Sequence, residues 1–403
     1  MVKQSKAHKV PFPKNYASEF LVFEKGEGVY LYDPTGKKYL DFGSGIAVNA
    51  LGHGRSDLAD IACSQMKKVI HTSNLFTSEP SVFLAEKLVT TGNFDAVHFG
   101  NSGAEANEAA IKYARLYSYN KKGAGNHKML ALESGFHGRT IGALSCTHNP
   151  AYKTPFEPLM PGVEFTPLNN VKALEEKLDS TFAGVIVEVL QGEGGLQMMS
   201  REFAESLNRL CKKHDVILIA DEVQTGLGRT GWPFASASVG LNPDIISLAK
   251  PLAGGLPLSA TLIPAKINNL IKVGDHGTTF GGGPVTCAVA GKVLDIVLDP
   301  LFLANVRKNG EYLAKKLANL AAKFSFIGEV RGTGLLQGIE IKQPENYKGD
   351  LIKSIISKCE DNCLIVLKSG KTIVRIAPPL IIEEIQIDEG IAILEKTLGE
   401  FSI

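Results

Sequence analysis

Two apolar runs that each end in charged residues constrain this chain most strongly. The run VILIADE, at 216–222, ends in Asp221 and Glu222, and DIISLAK, at 244–250, ends in Lys250. Continuous apolar runs of this length are typical of strands covered on both faces, as in a parallel sheet between helix layers. Because ligands of such sheets bind beyond the carboxyl ends of the strands, Asp221 and Lys250 are predicted to face each other across one crevice.

An acid and an amine in this arrangement suit pyridoxal phosphate. The lysine would form a Schiff base with the cofactor, and the aspartate would keep the pyridine nitrogen protonated so that the ring accepts electrons. A charged residue that closes a buried strand is more often an ordinary sheet end reaching solvent. Two such endings close together in the sequence favour the functional interpretation.

The flanking segments predict an α/β architecture. From about Ser56, helical periodicity alternates with short apolar runs, which is the pattern of a mainly parallel sheet flanked by helices. Before it, GVYLYDPTGKKYLDF predicts two short strands outside the main sheet. We therefore expect an N-terminal arm at 1–55 that packs with the small domain, a large domain at 56–290 and a small α/β C-terminal domain at 291–403.

The composition narrows the class of partner to small molecules. With 43 basic and 42 acidic side chains, the chain has no excess of positive charge that would favour nucleic acid, and it has no basic cluster that would favour a membrane surface. Six cysteines and nine histidines are scattered without metal-ligand spacing, so no metal is predicted. The start lacks the apolar core of a signal peptide, and a cytoplasmic location is expected.

The segment GNSGAEANEAAIKYAR predicts an anion site. The small residues Ser102, Gly103 and Ala104 lie between a predicted strand and an alanine-rich helix. They leave the first helical N–H groups open, so a phosphate can bind at the helix N-terminus. An ordinary N-cap explains the same residues, because Ser102 with Glu105 makes a capping box. Alone, the motif favours the ordinary cap.

Three further segments place polar groups after predicted strands or in loops. In FHGRT, Phe136 can stack on a flat cofactor and Arg139 can clamp a carboxylate through two hydrogen bonds. VEVLQGEGG supplies Glu188 and Glu193, and HGTTFGGGP supplies two threonines, the second of them Thr279. Each signal is weak alone, because an isolated aromatic residue is more often core and an isolated charge more often surface.

One motif is a false lead. The segment Ser369–Thr372 matches the end of a phosphate-binding P-loop. Ile365, however, occupies the position of the first glycine of that motif, so the sequence does not predict a nucleotide-binding site here. The sequence also lacks a glycine-rich dinucleotide-binding motif between a predicted strand and the helix that follows it. A nicotinamide-dependent dehydrogenase is therefore disfavoured against the pyridoxal hypothesis.

Taken together, the motifs identify a family. The chain resembles the class III aminotransferases, which are fold-type I pyridoxal phosphate enzymes, and the resemblance covers nearly its whole length. The segments that carry it, in order, are NSGAEANEAAIKYAR, FHGRT, VEVLQGEGG, ADEVQTGLGRTG, LAKPLAGGLP, HGTTFGGGP and VRIAPPL. Within the class, LDFGSGIAVNALGHG and HTSNLF most resemble acetylornithine aminotransferases, whereas His137 differs from the tryptophan usual in ornithine aminotransferases. Val189 and Gly283 also depart from the usual family residues.

The resemblance implies a role for each matching residue. Lys250 would bind the cofactor covalently, Asp221 would pair with the pyridine nitrogen, and Gln224 would approach the phenolic oxygen. Phe136 and Val223 would sandwich the ring. The residues implied for the phosphate are Ser102, Gly103 and Ala104, joined by Thr279 from the neighbouring subunit. That last role implies a homodimer with two shared active sites.

The implied reaction is a ping-pong transfer of the terminal amine of N2-acetyl-L-ornithine to 2-oxoglutarate, in arginine biosynthesis. Arg375 would bind the α-carboxylate of glutamate, and Glu193 would neutralise it when that carboxylate is absent, because an unpaired buried arginine is costly. Arg139 would hold the distal carboxylate. The alternatives are an ornithine, 4-aminobutyrate or N-succinyl-amino acid donor, an aminomutase, or a non-catalytic binding protein of the same fold.

Overall fold

The computed structural model describes residues 13, 15, 21–345 and 347–401, so most of the first twenty residues of the predicted arm lie outside it. The strands are β1 Lys25–Glu27, β2 Tyr30–Tyr32, β3 Lys38–Asp41, β4 Ala96–Gly100, β5 Lys128–Leu132, β6 Val163–Thr166, β7 Phe182–Val187, β8 Leu190–Gln191, β9 Gln197–Met198, β10 Ile217–Asp221, β11 Ile245–Leu248, β12 Ser259–Ile263, β13 Ile327–Thr333, β14 Leu336–Ile341, β15 Leu364–Ile365, β16 Leu367–Ser369 and β17 Ile373–Ile376.

The α-helices are α1 Ser44–Ala47, α2 Ser56–Lys68, α3 Glu79–Val89, α4 Gly103–Lys122, α5 Ile141–Cys146, α6 Pro150–Lys153, α7 Val171–Lys177, α8 Arg201–His214, α9 Ala235–Val239, α10 Ala265–Asn268, α11 Pro284–Val297, α12 Pro300–Ala321, α13 Leu351–Asp361 and α14 Glu384–Gly399. Within the described residues, none of these helices has the length and apolar character needed to cross a membrane.

A seven-stranded sheet organises the molecule and confirms the predicted fold class. Its order is β4-β12-β11-β10-β7-β5-β6, and every strand is parallel to the others except β12. The two apolar runs of the sequence are adjacent strands, because β10 pairs with β11 and Asp221 lies opposite Ser247. Their carboxyl ends therefore open on one edge of the sheet, as predicted.

Both faces of this sheet are buried, which explains why β10 is apolar up to Ala220. Successive side chains of a strand point to opposite faces. Leu218 and Ala220 belong to a hydrophobic cluster on one face, and Ile217 and Ile219 belong to a second cluster on the other. Helix α4 covers the face of Ile217, and α8 and α11 cover the face of Leu218.

The predicted N-terminal strands form outside the main sheet. Strands β2 and β3 pair across a turn in which Asp33 Oδ1 accepts from the backbone N–H of Thr35 at 2.9 Å. Strand β3 also pairs in parallel with β15, with Leu40 opposite Leu364. A further antiparallel sheet, in the order β13-β14-β17-β16, carries Arg375 on β17. The side chains of Leu40, Val374 and other residues share one hydrophobic cluster.

Several short elements were not expected from the sequence. Strand β6 is the edge of the main sheet and pairs only with β5, and three of its four residues are half-buried. Such a strand shows neither a continuous apolar run nor a full alternation, so its sequence carries little signal. After Pro284 the chain forms two successive helices, because Asp299 caps α12 and Pro300 begins it.

Candidate active site

A cavity of about 460 Å³ lies at the carboxyl ends of β10 and β11 and at the N-terminus of α4. Most of the residues predicted for the site line it. They are Ser102, Gly103, Ala104, Phe136, Arg139, Glu193, Asp221, Val223, Gln224 and Lys250. The fold thus brings together segments that are far apart in the sequence.

Asp221 is held rigidly by three donors. Its Oδ2 accepts from Asn107 Nδ2 at 2.7 Å and contacts His137 Nδ1 at 2.8 Å, and its Oδ1 accepts from the backbone N–H of Val223 at 3.1 Å. The side chain is 5% exposed. A carboxylate with this support keeps its position, which suits a partner for a protonated ring nitrogen.

The contact with Asp221 also sets the charge of His137. Burial alone would lower the pKa of His137, but the hydrogen bond to Asp221 and the charge of that carboxylate raise it overall. Glu188 lies near this pair, and burial raises its pKa to about 7 against the opposing effect of His137. The Glu188 carboxylate accepts from the backbone N–H of Phe136 at 2.9 Å, so it fixes the loop that carries the aromatic ring.

Lys250 lies just beyond β11 in a left-handed backbone conformation, with φ of 35°. This conformation is unfavourable for a residue with a side chain, at a cost of about 1–3 kcal/mol. It directs the chain into the turn at Pro251. Burial first, and then the positive charge of Arg375, lower the pKa of Lys250 to about 8. At about pH 7 roughly a tenth of the amine is therefore neutral and nucleophilic, far more than for a lysine with an ordinary pKa.

The start of α4 is both a helix cap and an open anion site. Ser102 Oγ accepts from Glu105 N at 3.3 Å, and the Glu105 carboxylate accepts from Ser102 N at 3.1 Å, which completes the capping box. The N–H groups of Gly103 and Ala104 have no hydrogen-bond partner in the described part of the chain. The Ser102 hydroxyl proton also stays available, since its oxygen only accepts here. The segment can therefore serve both as an ordinary helix cap and as a phosphate site.

Close packing at Gly103 requires glycine. A Cβ atom there would lie 2.5 Å from Val223 Cγ1. Val223 and Phe136 both line the cavity, and Gln224 lies beside them with a buried Oε1 that has no hydrogen-bond partner among the described residues. A buried unpaired acceptor of this kind indicates a missing ligand group.

Arg375 and Glu193 form an ion pair beside this cavity. Arg375 Nη1 donates to Glu193 Oε1 at 2.6 Å and to the backbone oxygen of Gly192 at 2.9 Å. The arginine side chain is only 4% exposed, whereas that of Glu193 is 33% exposed. The glutamate is therefore the more exposed member of the pair.

Arg139 presents an unpaired cation to the cavity. No carboxylate of the described residues lies within 4.0 Å of its guanidinium, which stacks 3.7 Å from the ring centroid of Tyr152 and 5.5 Å from that of Phe136. Stacking fixes the plane of the guanidinium and leaves its N–H groups free for a carboxylate.

Thr279 is the predicted residue that does not join the others within one chain. It lines a separate cavity with His71, Asn74 and Phe280. The predicted role of Thr279 across a subunit boundary is consistent with this separation and stays a prediction.

Sequence reasoning missed Asn107. Its side chain donates to both Asp221 and the backbone oxygen of His137, each at 2.7 Å. Asn107 is 1% exposed, in an alanine-rich stretch of α4 one turn beyond Gly103. The available signal for Asn107 was its position: it is a polar residue on the buried face of a helix that begins at the crevice.

The comparisons with known proteins agree with this geometry. The family model for class III aminotransferases matches residues 12–398. The mitochondrial acetylornithine aminotransferase of Alnus glutinosa is 43% identical over 95% of this chain and 84% of its own length. The acetylornithine aminotransferase of Aquifex aeolicus is 42% identical over 95% of this chain and 98% of its own length.

Solved structures show the same similarity. The ornithine aminotransferase of Toxoplasma gondii superposes with a TM-score of 0.91 at 31% identity, covering 96% of this chain and 92% of its own. The N-acetylornithine aminotransferase of Stenotrophomonas maltophilia superposes with a TM-score of 0.83 at 31% identity, covering 97% of both chains. The chain therefore belongs to the class III aminotransferases.

Proposed function

We propose that the chain transfers the terminal amine of N2-acetyl-L-ornithine to 2-oxoglutarate, giving N-acetylglutamate 5-semialdehyde and L-glutamate, as a step of arginine biosynthesis. The observation that carries this proposal is the 2.6 Å pair of Arg375 with the more exposed Glu193, beside the cavity that holds Lys250. Such a pair lets one pocket accept two unlike amino donors. The relatives named acetylornithine aminotransferases support the choice of donor.

The residues of the cavity fit pyridoxal 5′-phosphate, the cofactor of this family. The fixed Asp221 carboxylate suits a ring N–H, the unpaired Gln224 Oε1 suits the phenolic hydroxyl of the ring as a donor, and the free N–H groups of Gly103 and Ala104 suit a phosphate. When bound, this cofactor supplies an electron sink that stabilises negative charge on the carbon next to the transferred nitrogen.

The chain supplies attachment, orientation and proton transfer. Lys250 Nζ would hold the cofactor covalently. Once the amino donor takes its place, the freed amine would act as general base and acid, moving the proton between the substrate carbon and the cofactor carbon. Asp221 would pair with the protonated ring nitrogen. Phe136 and Val223 would lie on the two faces of the ring, and Thr279 of a second subunit would join Ser102 at the phosphate.

The two donors use the arginines differently. With acetylornithine, Glu193 stays on Arg375, because the terminal CH₂–NH₂ group brings no charge to that place, and Arg139 holds the α-carboxylate. With glutamate, the α-carboxylate replaces Glu193 on Arg375, and Arg139 holds the side-chain carboxylate. In both cases the buried arginine keeps a partner, which avoids the cost of an unpaired buried charge.

The proposal includes a homodimer in the cytoplasm. Exposed apolar side chains surround the loop of Thr279, among them Leu75 at 87%, Phe76 at 75% and Phe280 at 68% exposure, and a second copy of the chain would cover them. Balanced charge supports a location away from nucleic acid and membrane surfaces. The division into an arm at 1–55, a large domain at 56–290 and a small domain at 291–403 is retained as a proposal. Separate hydrophobic clusters support two domains, but Val293, Leu294 and Val297 of α11 pack with the large domain, beyond the proposed boundary.

A donor panel tests the proposed substrate. We expect kcat/KM with 2-oxoglutarate as acceptor to be at least about tenfold higher for acetylornithine than for succinylornithine, ornithine or 4-aminobutyrate, since one well-placed contact distinguishes such donors by this factor. A clear lead for another donor would keep the chemistry and reject the substrate. Absence of turnover with every donor would favour an aminomutase or a binding protein.

The pH dependence of cofactor capture tests the environment of Lys250. Because its pKa is lowered to about 8, the ammonium form predominates below that pH and cannot attack. We expect the rate of covalent capture of pyridoxal phosphate by the cofactor-free protein to rise about tenfold per pH unit on the acid side and to level off above the pKa. Stopped-flow absorbance measures this rate. A profile still rising steeply near about pH 10 would indicate an ordinary lysine.

A further inference from the structure

A second cavity, of about 600 Å³, adjoins the active site. Phe136 and Glu193 line both cavities, so the glutamate stands at their boundary. The rest of the second cavity is mainly polar or basic. The cations that line it are Arg331, Lys368 and Lys371.

The turn Ser369–Thr372, excluded above as a nucleotide site, forms one wall of this cavity. It joins β16 to β17 and is bound to the loop that carries Glu193. Gly370 N donates to Glu193 O at 3.0 Å, and Ser369 Oγ donates to Gly192 O at 2.7 Å and accepts from Gly195 N at 3.1 Å. These bonds hold the backbone of the Glu193 loop, and none of them involves the Glu193 carboxylate.

That carboxylate needs a second position. Under the proposed function, a dicarboxylic substrate takes the place of Glu193 on Arg375. Leaving the displaced carboxylate unpaired beside the incoming anion would oppose binding. The second cavity, which Glu193 already borders, is the adjoining space with cations in it.

Two of the three cations that line the second cavity already have carboxylate partners. Arg331 is bonded to Glu329 and Glu340, each at 2.9 Å, and to the backbone oxygen of Gly195 at 3.4 Å. Lys368 lies 3.5 Å from Asp350.

Lys371 differs from both. Across 21–345 and 347–401, no carboxylate lies within 4.0 Å of its amine. It directly follows Gly370, the residue bonded to the backbone of Glu193. By both its position and its charge, Lys371 is therefore the best partner for a displaced Glu193 carboxylate.

We infer that Lys371 receives the Glu193 carboxylate when a dicarboxylic substrate occupies Arg375. Lys371 is then a specificity-determining residue that favours the 2-oxoglutarate and glutamate half-reaction without touching the substrate. The inference rests on the proposed function, since it requires an anion that competes for Arg375. Lys371 is exposed, so the effect is that of a surface ion pair, about 1.5-fold to fivefold in an equilibrium.

Separate half-reactions test the inference in the cofactor-loaded protein. We expect Lys371→Gln to raise the KM for 2-oxoglutarate about threefold and Lys371→Glu about tenfold, with the KM for the amine donor unchanged in both. The effect should shrink at about 1 M salt, where screening is strong. Lys172→Gln, which removes another exposed lysine at 86% side-chain exposure, is the matched control and should change neither value. Unchanged KM values in both Lys371 variants would overturn the inference.

A double-mutant cycle identifies the partner of Lys371. In Glu193→Gln the displaced side chain carries no charge, so adding Lys371→Gln should have no further effect on the KM for 2-oxoglutarate. If the effect persists in that background, Lys371 binds the substrate itself and the inference is wrong. Equal losses in both half-reactions would also reject it. Absence of wild-type turnover with any dicarboxylate would instead reject the proposed function, before Lys371 is tested.

Discussion

Replacing Lys250 by alanine is expected to lower kcat/KM for every amino donor by about 10⁴-fold, the upper range for loss of a positioned general acid and base. Of the described residues that line the active-site cavity, Lys250 alone carries an amine. Its φ of 35°, which has a cost in backbone energy, and its lowered pKa both support this role. Stopped-flow and steady-state assays of both half-reactions measure the loss.

The fold of the Lys250→Ala variant should be intact. Alanine has the same left-handed backbone cost as lysine, and the buried amine is removed, so we expect the unfolding temperature to change little. Added methylamine should restore part of the activity, because a small free amine can occupy the vacated space and move the proton. Lys172→Ala is the control for loss of an exposed lysine. Full turnover without Lys250 would overturn the proposed mechanism.

The ends of the buried strands were predictable because their signal is local. Continuous apolar runs identify β10 and β11, and parallel pairing then determines that Asp221 and Lys250 emerge at the same edge. The capping box of α4 was equally local, and its contacts are present in the structure. The resemblance to a known family then implied roles for other residues at that edge.

Contacts between distant segments were not predictable in the same way. The bond from Asn107 to Asp221 depends on how α4 lies over the sheet, and the pairing of the Ser369–Thr372 turn with the Glu193 loop depends on how two sheets meet. No periodicity in one segment encodes either arrangement. The edge strand β6 was missed for another reason, since a short half-buried strand lacks both patterns that identify strands.

Replacing Arg375 by glutamine is expected to separate the two half-reactions. The KM for 2-oxoglutarate should rise about 30-fold, the equivalent of roughly 2 kcal/mol for a hydrogen bond to a charged group. The amine-donor half-reaction should change less than about threefold, because that donor places no carboxylate at Arg375 and Glu193, at 33% exposure, can be solvated once its partner is gone. Single-turnover absorbance changes measure each half-reaction.

The complementary variant should give the opposite pattern. In Glu193→Gln the guanidinium of Arg375 loses its charged partner in a place only 4% exposed, so the amine-donor half-reaction should slow by about tenfold while 2-oxoglutarate binds as well or better. Arg375→Lys should recover only part of the 2-oxoglutarate affinity, because a single ammonium cannot make two parallel bonds to a carboxylate. If both variants weaken both half-reactions equally, the pair is structural, and the discrimination between the two donors must arise at Arg139 instead.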